Sequence, residues 1–207
     1  MKKSILIKKL TANSPEEYFN QIAKIHQVEI IEGFLSTMGV KFLSKLYSNL
    51  CDSPYAFLYV AMINNRICGF ICGSTDTSKV YKYFIIRYGI FILSTIIPKI
   101  LSFKKIGRML EALIYPQKKE NVGLPKNEIL NFCVSRDFQR KGIGKKLFKI
   151  LVDKFKSLNF NRIKIVTGVS QIKAQRFYES LGAIKVTDIE IHRNTKSLIY
   201  IYDINKI

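Results

Sequence analysis

Between residues 139 and 144 the chain reads Gln139-Arg140-Lys141-Gly142-Ile143-Gly144, directly after an apolar run and directly before an amphipathic one. Gly142 and Gly144 let a backbone turn tightly without Cβ obstruction, so successive N–H groups can converge on phosphate oxygens at the positive end of the following helix. Arg140, Lys141, Lys145 and Lys146 place cationic charge around that nest. Taken alone, the segment is equally a plain basic glycine turn. Two other phosphate-binding patterns are excluded: no GxxxxGK(S/T) occurs, and Lys145-Lys146-Leu147 after Gly144 breaks the GxGxxG of dinucleotide folds. Metal chemistry is not indicated, because Cys51, Cys68, Cys72 and Cys133 lack CxxC spacing and the two histidines, His26 and His192, are far apart. Thiols in runs such as ICGFICG act as small hydrophobes, which points to a reducing, cytoplasmic compartment.

Behind that loop stand 207 residues, 48% apolar and 24% charged, a composition that excludes disordered, collagenous and low-complexity proteins and reads as one domain, 1–207. Lys and Arg number 34 against 15 Asp and Glu, a net charge of +19. Such an excess favours a polyanionic partner by long-range attraction, although an AT-rich genome, suggested by the abundance of Lys, Ile, Asn, Phe and Tyr, produces the same bias without one. The opening MKKSILIKKL has too short an uncharged stretch for a signal-peptide core.

The elements that must position the loop follow from periodicity. Residues 4–10 read as a strand. Ser14-Pro15-Glu16-Glu17 starts a helix that runs to about Glu32, and a second helix over 40–50 carries Phe42, Leu43, Leu46, Tyr47 and Leu50 on one face. Runs 55–63 and 66–74 form an antiparallel hairpin across Asn64-Asn65, a pair able to adopt the positive φ of a tight turn. Residues 128–135, 144–158 and 162–169 make a strand, a helix with Leu147, Phe148, Leu151, Phe155 and Leu158 inward, and a strand. A short helix over 171–181, stopped by Gly182, precedes strands at 183–192 and 197–204. Segment 77–120 breaks the pattern: its longest uncharged run before a proline, 88–97, is too short to span a bilayer, and it holds nine basic residues against Glu111 and Glu120. It reads as a partly helical insertion over the acceptor side; the competing reading is an amphipathic segment in an anionic membrane interface.

In this setting the 139–144 loop resembles the Q/R-x-x-G-x-G/A loop of the GNAT superfamily of acetyl-coenzyme A dependent N-acetyltransferases. The run 128–135 is similar to that family's fourth strand, and Ala174-Gln175-Arg176-Phe177-Tyr178-Glu179-Ser180-Leu181-Gly182-Ala183 resembles its A-x-x-x-Y-x-x-x-G-F helix. Two positions depart from the pattern: Gln171 stands where the family usually has Asn, and Ala183 where it has an aromatic residue. The stretch His26 to Tyr47, with Glu32-Gly33-Phe34, is similar to a subgroup associated with bacterial surface-polysaccharide biosynthesis.

The resemblance implies an α/β (α+β) fold, a mixed central sheet whose fourth and fifth strands are parallel and splayed, with helices on both faces. It implies acetyl-CoA as co-substrate and no metal. The pyrophosphate would rest on Gln139, Arg140, Lys141, Gly142, Ile143, Gly144 and Lys145, and the pantetheine arm on backbone groups of Phe132, Cys133 and Val134, with Gln171 nearby. Tyr178 matches the general acid. Glu128 matches a general base used by some members, although strand alternation sets it on the side of Leu130, Phe132 and Val134 unless a bulge intervenes. His26, Glu32 and Phe34 would line the acceptor pocket. The expected partner is a small-molecule primary amine, favoured as a nucleotide-linked amino sugar, and not nucleic acid. A protein amine, a non-catalytic acyl-CoA-binding module, contact with an anionic membrane and a homodimer stay open.

Overall fold

The computed structural model describes residues 4–30, 35–96, 123–192 and 195–206. In chain order they form β1 (Leu6–Leu10), α1 (Glu16–Glu29), α2 (Val40–Asp52), β2 (Ala56–Ile63), β3 (Arg66–Ser74), α3 (Thr77–Ile96), β4 (Glu128–Val134), α4 (Ile143–Ser157), β5 (Arg162–Gly168), α5 (Ile172–Ser180), β6 (Ile184–His192) and β7 (Thr195–Asp203). The strands build one seven-stranded sheet in the order β1-β2-β3-β4-β5-β7-β6, in which β4 and β5 are parallel and the other pairs antiparallel. This is the mixed sheet that the resemblance implies.

β2 and β3 are buried nearly throughout because helices cover the sheet on both faces, which is why they read as continuous apolar runs. On one face α4 packs Leu147, Phe148, Leu151 and Phe155 against Phe57, Ile71, Ile129 and Ile165. On the other, Phe19 and Ile22 of α1 and Phe42, Leu46 and Tyr47 of α2 meet Leu58, Val60, Phe70 and Cys72. The hairpin turn takes the expected form, with Asn64 at φ +50° and Asn65 at φ +60°.

Two expectations need correction. Leu158 does not point inward: α4 ends at Ser157, and the side chain one position on is 39% exposed. The face of Glu128 is also reversed. Cys72 pairs with Asn131 but Gly73 pairs with Ile129, so Leu130 is an extra residue on β4 and the alternation flips there. Glu128 therefore shares its face with Asn131 and Cys133, away from Phe132 and Val134.

α3 is the described part of the 77–120 insertion; residues 97–120 lie outside the described residues. Val80 and Phe84 turn into the α1/α2 core, where the Phe84 ring meets Phe42 edge-on at 6.3 Å. Asp52 at the end of α2 accepts hydrogen bonds from the hydroxyls of Tyr83 at 2.9 Å and Tyr88 at 3.3 Å. The start of the insertion thus lies on the helical layer over the α1/α2 face. Among the described residues no helix is long and apolar enough to cross a membrane.

Candidate active site

β4 and β5 are joined at two register pairs, Glu128 with Lys164 and Ile129 with Ile165, and part beyond them. The bulge at Leu130 sits where they part, and a bulge bends its strand away from a neighbour. On its other edge β4 continues along β3, and the Ser135 N–H donates to the Cys68 carbonyl at 2.9 Å. Backbone groups alternate between the two edges of a strand, so Cys133 also faces β3 while Phe132 and Val134 face the opening. Of the three residues expected to hold the pantetheine, the alternation thus directs the amides of two into the fork. A ligand strand placed there meets N–H and C=O groups that β5 does not use.

The fork ends on the glycine loop. Gly142 caps α4 in the left-handed region, φ +77° and ψ 0°, and Arg140 is also left-handed at φ +58°. These conformations draw consecutive N–H groups into a nest at a helix start whose first amides have no intrahelical acceptor. Ile143, fully buried, pins the helix start to the core. Gly144 sits close to two rings: a Cβ there would lie 3.3 Å from Phe177 Cε2, so that the ring must give by a few tenths of an ångström, and 3.5 Å from Phe132 Cζ, an ordinary contact. Gln139 and Lys141 fix the loop, since Gln139 Nε2 donates to the Val134 carbonyl at 2.9 Å and Lys141 Nζ to the Asp137 carbonyl at 2.6 Å. Arg140 and Lys145 stay exposed beside the nest. A diphosphate linked to an extended arm fits these features: nest for the anion, strand edge for the arm.

Tyr178 comes from α5, which closes the same end of the sheet. Its ring is enclosed by Phe177 at 5.6 Å, Phe132 at 6.3 Å and Phe148 at 6.4 Å. Burial pushes the phenol well above its ordinary range, and the Cys133 thiol adds to the effect. The hydroxyl has no hydrogen-bond partner among the described residues. Gln171, at the start of α5, turns its Oε1 back onto β5, accepting from the Thr167 hydroxyl at 2.9 Å and the Gly168 N–H at 3.4 Å.

Glu128 lies at the root of the fork, where its Oε2 is 3.0 Å from Lys164 Nζ and accepts from the Thr77 hydroxyl at 3.0 Å. Neither partner was singled out in the sequence. Lys164 had a signal, a cation set between Ile163 and Ile165 in a strand. Cys133 is half-buried, and burial, with Glu29 nearby, pushes its thiol up to about 12.

His26 is fully buried on α1, its Nδ1 2.5 Å from the Tyr47 hydroxyl. Burial lowers its pKa to about 4, so the ring is neutral at physiological pH, and Nδ1 and the Tyr47 hydroxyl share one proton between them. The unfolded imidazole takes up a proton near pH 6.5 and the folded one only near 4, so stability present above pH 6.5 is lost as pH falls towards 4. The linkage is worth about 3 kcal/mol. Urea unfolding at pH 7 and pH 4.5 should show a smaller acid loss in His26→Gln than in the parent; equal losses would remove His26 as the cause. Glu32 and Phe34 lie outside the described residues, while the residues on either side of 31–34 are held by hydrogen bonds. The Ser36 hydroxyl donates to the Ile30 carbonyl, and the Glu29 carboxylate accepts from the Arg136 N–H at 2.9 Å, tying the end of α1 to the turn after β4.

Two cavities among the described residues, about 330 Å³ beside Ser14, Lys41 and Lys45 and about 280 Å³ beside Lys9, Cys51 and Lys154, lie away from the fork. Neither lining contains a residue of β4, of the 139–145 loop or of α5. The fork is an open groove defined by strand geometry.

Residues 105–183 match the family model described as the acetyltransferase (GNAT) family. No curated protein matches the chain. Among solved structures, an N-acetyltransferase from Staphylococcus aureus Mu50 superposes with a TM-score of 0.61 at 10% identity, over 98% of this chain and 99% of that one. NAA60 of Arabidopsis thaliana, solved in complex with acetyl-CoA, gives 0.59 at 14% identity over 98% and 99%. An aminoglycoside acetyltransferase from an uncultured soil metagenomic sample gives 0.58 at 17% over 92% and 95%. At these identities the likeness is one of fold.

Proposed function

We propose that this chain, which carries the acetyltransferase (GNAT) signature on the GNAT fold, moves the acetyl group of acetyl-CoA directly to a primary amine, with a nucleotide-linked amino sugar as the favoured acceptor. The observation that carries the reading is the parting of β4 from β5 straight after Ile129, which turns the Phe132 and Val134 amides into an opening that ends on the 139–145 nest. Bound acetyl-CoA supplies an activated thioester. The chain's own groups do the rest: the nest and its lysines hold the diphosphate, and the β4 edge holds and orients the arm. Glu128 takes a proton from the amine directly or through water, and Tyr178 gives one to the departing thiolate. Cys133, held as a thiol by burial, is a poor acyl carrier at neutral pH, which favours direct transfer.

The net charge of +19 supports an acceptor that carries phosphate, because it steers anions inward and repels polycationic amines. The test is release of free CoA across a panel of nucleotide-linked amino sugars, aminoglycosides, polyamines and peptides with free amino termini. Turnover should be highest with the nucleotide-linked sugars. Turnover confined to the peptides would reassign the acceptor to protein, and no thiol release with any amine would leave a binding module.

A further inference from the structure

We propose that Lys164 is a positioning residue for the reaction: from β5 it fixes Glu128 as a carboxylate at the root of the fork, with one oxygen pinned and the other directed to the amine. This rests on the reading of Glu128 as the base. Glu128 Oε2 meets Lys164 Nζ at 3.0 Å and the Thr77 hydroxyl at 3.0 Å, and Thr77 Oγ1 lies 2.9 Å from Ser74 Oγ. Since Thr77 gives its proton to the carboxylate, Ser74 donates to Thr77, and the chain of donors is complete. Oε1 has no partner among the described residues. The two side chains of the ion pair are 9% and 13% exposed, so water screens the attraction weakly.

The geometry ties the pair to the site. Glu128 and Lys164 are register partners in one of the two pairs that join β4 to β5, and the fork opens one residue later. Lys164 is itself anchored by its backbone, its N–H donating to the Asn127 carbonyl at 3.1 Å, while Asn127 Nδ2 donates to the Arg162 carbonyl at 2.8 Å. The groups around the carboxylate are Lys164 from β5, Thr77 and the half-buried Tyr81 from α3, and Ser74 from β3, with Cys72 beside Tyr81. Lys164 is the cation among them. A buried carboxylate without a cation tends to take up a proton, and a protonated Glu128 cannot accept one from an amine. Thr77 is the first residue of α3, so the insertion begins on a hydrogen bond to the same oxygen.

The test is a carbon-13 NMR titration of the Glu128 carboxyl, assigned by its loss in Glu128→Gln, in the full chain with and without acetyl-CoA. In Lys164→Gln the midpoint should rise by at least one pH unit, and Lys164→Arg should restore it. With the amine identified by the panel, kcat should fall at least tenfold in Lys164→Gln, its acid limb moving with the midpoint, and recover in Lys164→Arg. Should Lys164→Gln not fold, Thr77→Val should move the midpoint the same way by less. A midpoint unmoved by these changes overturns the proposal, as does a lowered kcat with an unmoved acid limb, which would make the lysine merely structural. Full turnover in Glu128→Gln would instead overturn the base assignment, whatever the titration shows.

Discussion

Tyr178→Phe should lower turnover by about 10²- to 10⁴-fold, the usual worth of a positioned general acid. The substitution leaves the ring in place against Phe132, Phe148 and Phe177 and removes only a hydroxyl that has no partner among the described residues. Folding and acetyl-CoA affinity should therefore change little. Because burial holds the phenol's proton well above the ordinary tyrosine range, the hydroxyl is a donor throughout neutral and mildly alkaline pH. Stopped-flow measurement of the chemical step, with thermal unfolding as a control, checks the prediction. An unchanged rate with chemistry limiting would leave water as the proton donor.

Gly142→Val should raise the acetyl-CoA dissociation constant by about tenfold or more while the domain still folds. A Cβ at Gly142 meets no atom of the chain within 4 Å, so no clash inside the protein contributes; obstruction of the bound phosphate, the expectation from the sequence, is the competing cause. The backbone conformation is the cause argued from the structure. At φ +77° an L-residue carries a penalty of about 1–2 kcal/mol, and a β-branched one more, so the loop relaxes and the nest opens. Each 1.4 kcal/mol lost from the bound geometry is about a factor of ten in affinity. Gly142→Asn separates the two explanations, since Asn tolerates the left-handed region and fills space. Calorimetric titration should find Asn near the parent and Val much weaker; equal loss in both would restore obstruction.

What the sequence made legible was local. Asn64-Asn65 carried the hairpin turn because only a few residue types accept two successive positive φ values. The faces of α2 and, Leu158 apart, α4 followed from 3.6-residue periodicity, and the loop from two glycines before an amphipathic helix. The sheet-level facts were not legible. Whether Glu128 shares a face with Phe132 or with Cys133 depends on one extra residue, Leu130, whose register is set by β3 across the ladder. The same register decides which β4 amides face the fork. Lys164 meets Glu128 only because two strands far apart in the chain pair at that point. Gln139 and Gln171 were placed on the ligand by resemblance, yet the Gln139 amide N–H donates to Val134 and the Gln171 carbonyl accepts from Thr167, contacts that no spacing rule encodes.

Amide NMR of the chain titrated with acetyl-CoA tests the central claim, that the parted strands and the glycine loop together hold the co-substrate. The largest shifts and the strongest protection from hydrogen exchange should fall on Phe132, Val134 and residues 142–145, with Cys133, already bonded towards β3, moving less. Shifts confined to other parts of the sheet, or saturable binding that leaves Phe132, Val134 and Gly142 unmoved, would contradict it.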